Sequence, residues 1–130
     1  MIILSIRTDR PEAEIGLYND TKQLAYEAWL GHRQLAEALH AKIGLLLQTQ
    51  QMNWQNLQGI VCFQGPGSFT GLRIGISVGN ALAYSYDLPI VATQDPAWLE
   101  TAINQLLAGT NHRQAQPFYG ADANITPPKK

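Results

Sequence analysis

The chain has 130 residues, 45% of them hydrophobic and 15% charged, which suits one globular domain and excludes a disordered chain. Nine Lys and Arg against ten Asp and Glu leave a formal net charge of −1, so no basic field spreads over the molecule and direct RNA or membrane-surface binding by this chain alone is disfavoured. The single cysteine, Cys62, excludes an internal disulfide, and no apolar run approaches the roughly 20 residues that span a bilayer, so a soluble cytoplasmic protein is expected.

Residues 1–7 are apolar and β-rich and read as a strand; Arg7 cuts the run too short for a signal segment. Residues 13–18 and 22–30 give two more strands, separated by a turn at Asn19-Asp20, so the first three form an antiparallel meander. From His32 to about Gln50, Leu35, Leu39, Ile43, Leu46 and Leu47 recur at helical spacing. Leu57 to Gln64 is a strand, Ser68 to Tyr86 a helix, Leu88 to Thr93 a strand and Pro96 to Leu107 a helix. The order βββ-α-β-α-β-α predicts an α/β lobe with a mixed sheet: antiparallel at first, then parallel through right-handed crossovers, with helices packed on it. Residues 1–108 make that lobe. Residues 109–130 carry no period and read as an irregular tail, docked through Phe118, Tyr119 and Ile125.

The stretch from Gly65 to Gly75, GPGSFTGLRIG, invites a chemical reading. No G-x-x-x-x-G-K-[ST] runs through it, so it is no Walker loop. Gly65, Gly67 and Gly71 follow a strand and open a helix, but the spacing departs from the dinucleotide fingerprint, and Asp87 precedes the next strand where that motif needs an acid at its end. Gly75-Ile76-Ser77-Val78-Gly79 satisfies G-x-S-x-G, with Asp95 and His112 following in hydrolase order. Yet Ser77 sits in a helix-spaced segment rather than at a strand-to-helix turn, which disfavours a nucleophile. His32 and His40 lie eight residues apart, about 80° round a helix, and cannot easily share a metal.

Packing accounts for the glycines better. Small residues recur every fourth position at Gly71, Gly75, Gly79 and Ala83, a smooth stripe along one helix face. Each interior glycine costs roughly 0.5 to 1 kcal/mol against alanine, so close approach of another backbone is the expected return. The expectation is that Ile74, Val78 and Leu82 face the sheet while the stripe meets a helix, either the first helix of this chain or one of a second subunit; the alternative is packing within the chain alone, since close helix-to-sheet contact also selects glycine. Phe69 and Arg73, at i and i+4, are residue types enriched in interface hot spots.

GPGSFTGLRIG, Ala81-Leu82-Ala83, Leu88-Pro89-Ile90, the opening MIILSIRT, His32-Arg33-Gln34-Leu35 and the ending ITPPKK together resemble the TsaB (YeaZ) family. The resemblance covers about residues 1 to 107 plus the tail. It implies a single actin-like, RNase H-like lobe, a shortened form lacking most of the family's second lobe. It also implies a non-catalytic adaptor that binds and activates the threonylcarbamoyltransferase TsaD, helps recruit the ATPase TsaE, and reaches tRNA only through the complex that makes N6-threonylcarbamoyladenosine. The expected partner-binding residues are His32, Leu35, Leu39, Phe69, Thr70, Gly71, Arg73, Gly75, Gly79 and Ala83. No cofactor is expected on this chain alone; whether a nucleotide sits at the partner interface stays open, as does a homodimer when alone. Where the family has Asp-Thr after the first strand, this chain has Arg7-Thr8, which removes a carboxylate that actin-like ATPases keep near phosphates and metal. The competing readings are a serine hydrolase using Ser77, a nucleotide hydrolase, and a stand-alone homodimer.

Overall fold

The structure, a computed structural model, describes residues 1–31, 34–67 and 69–119. His32 and the side chain of Phe69 lie outside the described residues. The strands are β1 (Ile2–Arg7), β2 (Glu12–Asn19), β3 (Lys22–Leu30), β4 (Gly59–Phe63) and β5 (Ile90–Thr93), and the helices are α1 (Leu35–Thr49), α2 (Phe69–Tyr86) and α3 (Trp98–Leu107). The predicted element order and mixed sheet are those observed. One short 3₁₀ turn, Trp54–Asn56, was not foreseen; the Asn53 side chain accepts from the Gln55 amide and caps it.

The five strands run in the order β3-β2-β1-β4-β5, with β1 antiparallel to β2, β2 antiparallel to β3, and β1, β4 and β5 mutually parallel. The central strands are apolar throughout because both sheet faces are covered. Leu4, Ile6, Ile60, Cys62, Ile90 and Ala92 point to the face carrying α1 and α2, while Ile3, Val61 and Val91 point to the face carrying α3, as the two-residue strand period demands. On α1, Leu35, Leu39, Ile43, Leu46 and Leu47 are the buried positions. Lys42 ties that helix to β3 through a 2.5 Å ion pair with Glu27, and its ammonium lies 5.2 Å from the Trp29 ring centre.

The orientation of α2 differs from expectation. Its buried positions are Leu72, Gly75, Ile76, Gly79, Leu82 and Ala83, so the glycine stripe faces the sheet. A Cβ at Gly75 would fall on Thr8 Oγ1, and one at Gly79 would stand 2.6 Å from Cys62 Sγ. The helix axis therefore lies closer to β1 and β4 than any side chain permits. Thr8 uses the proximity: its Oγ1 donates to the Gly71 carbonyl at 2.7 Å. Ile74 and Val78, expected against the sheet, are half-buried and turned toward α1. The error is about one residue, or about 100° of helix rotation.

The same close packing explains the residues before α2. Gly65 holds φ at +121°, a region L side chains rarely adopt; a Cβ there would meet the Phe118 carbonyl, and one at Gly67 would meet Asp9.

Residues 110–119 form no helix or strand but lie against the lobe. Ala115, not Phe118, is the buried anchor, at 2% exposure against 40%. Tyr119 is partly buried against the main core, and Ile125 lies outside the described residues.

Candidate functional site

Because α2 turns its glycines inward, its outward face is the next stripe round: Thr70, Arg73, Ile74, Ser77, Val78, Ala81 and Ser85. With Ala36 and His40 of α1, these residues line a groove between the helices. One stretch, about 300 Å³, is bounded by Ala36, Thr70, Arg73, Ile74, Ser77 and Val78; the next, about 290 Å³, adds His40, Ala81, Leu82, Ser85 and Tyr86. They share Ala36 and Val78 and so form one channel. From Thr70 to Ser85 it runs about 22 Å at the helical rise of about 1.5 Å per residue.

The groove is shallow because its walls are small: Ala36, Ser77, Ala81 and Ser85 hold the ridges down, and Ile74, Val78 and Leu82 form an apolar floor. Beyond Thr70 it opens into a third hollow of about 360 Å³ against Thr8, Arg10, Pro11, Gly31 and Leu35. Its other end is closed by aromatic rings. His40 stacks on Trp54 with centroids 4.7 Å apart, and Trp54 on Tyr86 at 6.3 Å and 8°.

Of the expected partner-binding residues, Thr70 and Arg73 line the groove, while Gly71 and Leu35 line the hollow at its end. Gly75, Gly79 and Ala83 are buried on the sheet side, and Leu39 is fully buried in the core; none of the four presents a surface. Missed were Ala36, Ser77, Ala81 and Ser85. The last three also recur every fourth position, a second small-residue stripe that the sequence did carry.

The hydrolase constellation does not assemble. Ser77 lies in mid-helix on the groove wall, Asp95 pairs with Arg7, and His112 Nδ1 accepts the Ala92 amide at 3.2 Å on the edge of β5. At the ends of the parallel strands, where α/β sheets commonly bind ligands, Arg7 fills the space. Its Nε donates to Asp9 Oδ1 at 2.8 Å and its Nη2 to Asp95 Oδ2 at 3.3 Å, with the guanidinium carbon 3.8 Å from the Phe63 ring centre. Burial works against the charge, but the Asp9 hydrogen bond and the Asp9 and Asp95 carboxylates outweigh it and hold the Arg7 pKa above its ordinary value. No cluster of three His, Cys, Asp or Glu able to hold a metal occurs among the described residues, nor any helix long and apolar enough to cross a membrane. Burial pushes the Cys62 thiol up to about 12, so it is inert at neutral pH.

Comparison with known proteins places this arrangement. Residues 30–109 match the family model of TsaD, tRNA N6-adenosine threonylcarbamoyltransferase. The chain is 38% identical over 93 residues to the tRNA threonylcarbamoyladenosine biosynthesis protein TsaB of Bacillus subtilis, covering 71% of this chain and 40% of that one. With the Escherichia coli TsaB it is 27% identical over 126 residues, covering 92% and 54%. The solved structure of YeaZ from Pseudomonas aeruginosa superposes with a TM-score of 0.66 at 26% identity, over 72% of this chain and 44% of that one. The chain spans about half the length of the curated relatives it matches.

Five strands in this order, with two helices on one face and one on the other, define an actin-like, RNase H-like lobe. Within that class, the chain belongs to the TsaB (YeaZ) family.

Proposed function

We propose that this chain is a non-catalytic adaptor that docks a TsaD-type catalytic subunit in the groove between α1 and α2, and so serves N6-threonylcarbamoyladenosine modification of tRNA. The observation that carries the reading is the groove itself: a channel about 22 Å long, apolar at its floor and low at its walls, suited to a helix laid along it. The match to the catalytic subunit's own family model supports pairing between related lobes, each offering the same two helices. A net charge of −1 leaves tRNA contact to the partner. Recruitment of TsaE and activation of the catalytic subunit follow from the family resemblance and belong to the same proposal.

An adaptor role also agrees with the dispersal of Ser77, Asp95 and His112 and with an arginine at the end of β1. The test is a light-scattering mass on a sizing column, for the chain alone and mixed with the TsaD-type protein of the same organism, with and without ATP. A peak at the summed mass that Ala81→Trp removes is the expected result. Failure to co-elute under either condition would overturn the proposal, and a mass of two copies would point to the homodimer. An ATP-dependent peak would add a nucleotide at the interface.

A further inference from the structure

β5 ends the sheet, and an end strand ordinarily offers a row of unpaired backbone groups to its surroundings. Here the row is taken. The Ile90 amide donates to Asn111 Oδ1 at 3.1 Å, its carbonyl accepts from the His112 amide at 2.8 Å, and the Ala92 amide donates to His112 Nδ1 at 3.2 Å. Asn111 Oδ1 also accepts from the Arg113 amide at 2.8 Å, which fixes its aim. Two side chains and one amide of an irregular segment thus stand where a sixth strand would form its ladder.

Further along, Asn80 of α2 clasps one residue of that segment at both polar groups. Its Nδ2 donates to the Ala115 carbonyl at 3.0 Å, and its Oδ1 accepts from the Ala115 amide at 2.7 Å. Gln64, just past β4, adds two more bonds: its side-chain Nε2 donates to the Gln116 carbonyl at 3.0 Å and its backbone carbonyl accepts from the Phe118 amide at 2.8 Å. Apolar burial contributes little, since Asn111, His112, Arg113, Gln114 and Gln116 are exposed and Ala115 offers one methyl. The segment leaves α3 through Gly109, which is exposed, holds φ at +98° and has nothing near its Cβ position. Elements held by hydrogen bonds with little buried area sit at the low end of local stability.

We propose that residues 110–118 form a detachable strap, and that the β5 edge with Asn80 beneath it is a strand-addition site that accepts the same segment from a second copy of this chain. The occupant is set by what already fits: an Asn-His pair to mimic the ladder, and a small residue four positions after the Asn to sit under the Asn80 amide. Exchange of such a segment between identical chains adds no new contact type and needs only that the Gly109 connection swing outward.

The experiment uses the full chain with Ala115→Asp, which sets a carboxylate in the buried methyl's place and unseats the strap while leaving the site intact. A fluorescent peptide of residues 109–119 should bind this variant at least 10-fold tighter than the unaltered chain, whose own strap competes. Adding Asn80→Ala should erase that gain. Amide exchange at Ile90 and Ala92 should quicken in the variant and slow again with peptide, while Ile60, whose amide bonds to the Pro89 carbonyl inside the sheet, stays protected. Equal binding to the unaltered and variant chains, or unchanged exchange at Ile90 and Ala92, overturns the proposal. Should Ala115→Asp not fold, Asn80→Ala alone gives the exchange readout. Loss of helical signal in both variants also overturns it, since the strap would then be part of the core.

Discussion

The two faces of α2 use similar residues for opposite ends. On the sheet side, Gly75 and Gly79 remove every side-chain atom so that the helix can settle onto Thr8 and Cys62. On the groove side, Ser77, Ala81 and Ser85 keep their small side chains low and leave a hollow beside α1. A four-residue stripe of small residues therefore signals close approach only after the rotation of its helix is known. Spacing gives the ridge, and burial gives what meets it.

The sharpest way to break this comparison is Gly75→Leu. If the stripe were a docking surface, the lobe would fold and only pairing would fail. Against the sheet, the new side chain has no room beside Thr8, and overpacking of this kind is destabilising. The expected loss is roughly 4 kcal/mol or more, enough to unfold a marginal lobe. Circular dichroism melts decide: a folded variant with an unchanged midpoint would return the stripe to the surface.

Alkaline titration probes the same dry side. Folding raises the Cys62 thiol from 9.0 to about 12. Above pH 9 the unfolded chain gives up a proton that the folded chain keeps, so stability is full below pH 9 and falls as pH rises toward 12. The slope is at most about 1.4 kcal/mol per pH unit. Tyr18, raised chiefly by burial, adds in the same direction. Urea midpoints between pH 8 and 11 should show the decline, and Cys62→Ala should make it shallower, leaving the Tyr18 share; an equal slope in that variant would place the thiol in water.

A milder change measures the contact itself. Gly79→Ala introduces one methyl 2.6 Å from Cys62 Sγ and should cost about 1 to 3 kcal/mol, reduced by improved helix propensity. In the Cys62→Ala background the sulfur is gone, and the same substitution should become nearly neutral. The coupling in that double-mutant cycle reports the approach of helix to strand. Additive effects would mean that α2 already stands clear of β4.

Much of the fold was legible because run length and period are strong signals. The short apolar, β-rich runs of β1 and β4 and the recurrences at helical spacing on α1 gave the elements and their order. The rotation of α2 was not legible, since Ile74, Val78 and Leu82 make as plausible a sheet-facing row as Leu72, Ile76 and Ala83; only Thr8, just past β1, and Cys62 of β4 decide between them. The strap was hidden for a different reason. Asn80 and Ala115 are 35 residues apart and held by polar bonds that leave no periodic trace. Arg7 stood out in the sequence as a departure, but its pairing with Asp9 and Asp95 depends on two loops meeting at the strand ends.

On the groove side the comparison predicts almost no effect on stability and a large one on association. Ala81 is exposed on α2, so Ala81→Trp adds bulk to open space and should shift the melting midpoint by little. The indole would lie across the channel between Val78 and Ser85, over the apolar floor that a partner helix needs. Affinity for the TsaD-type subunit should fall at least 10-fold, about 1.4 kcal/mol, because the helix could no longer seat. Titration calorimetry on the folded variant measures this directly. Ser77→Trp, one turn earlier in the same channel, should repeat the loss, whereas Tyr84→Trp, at a position 91% exposed and outside the lining, should not. Equal affinity for all three variants would move the docking surface off this groove while leaving the glycine face where it is.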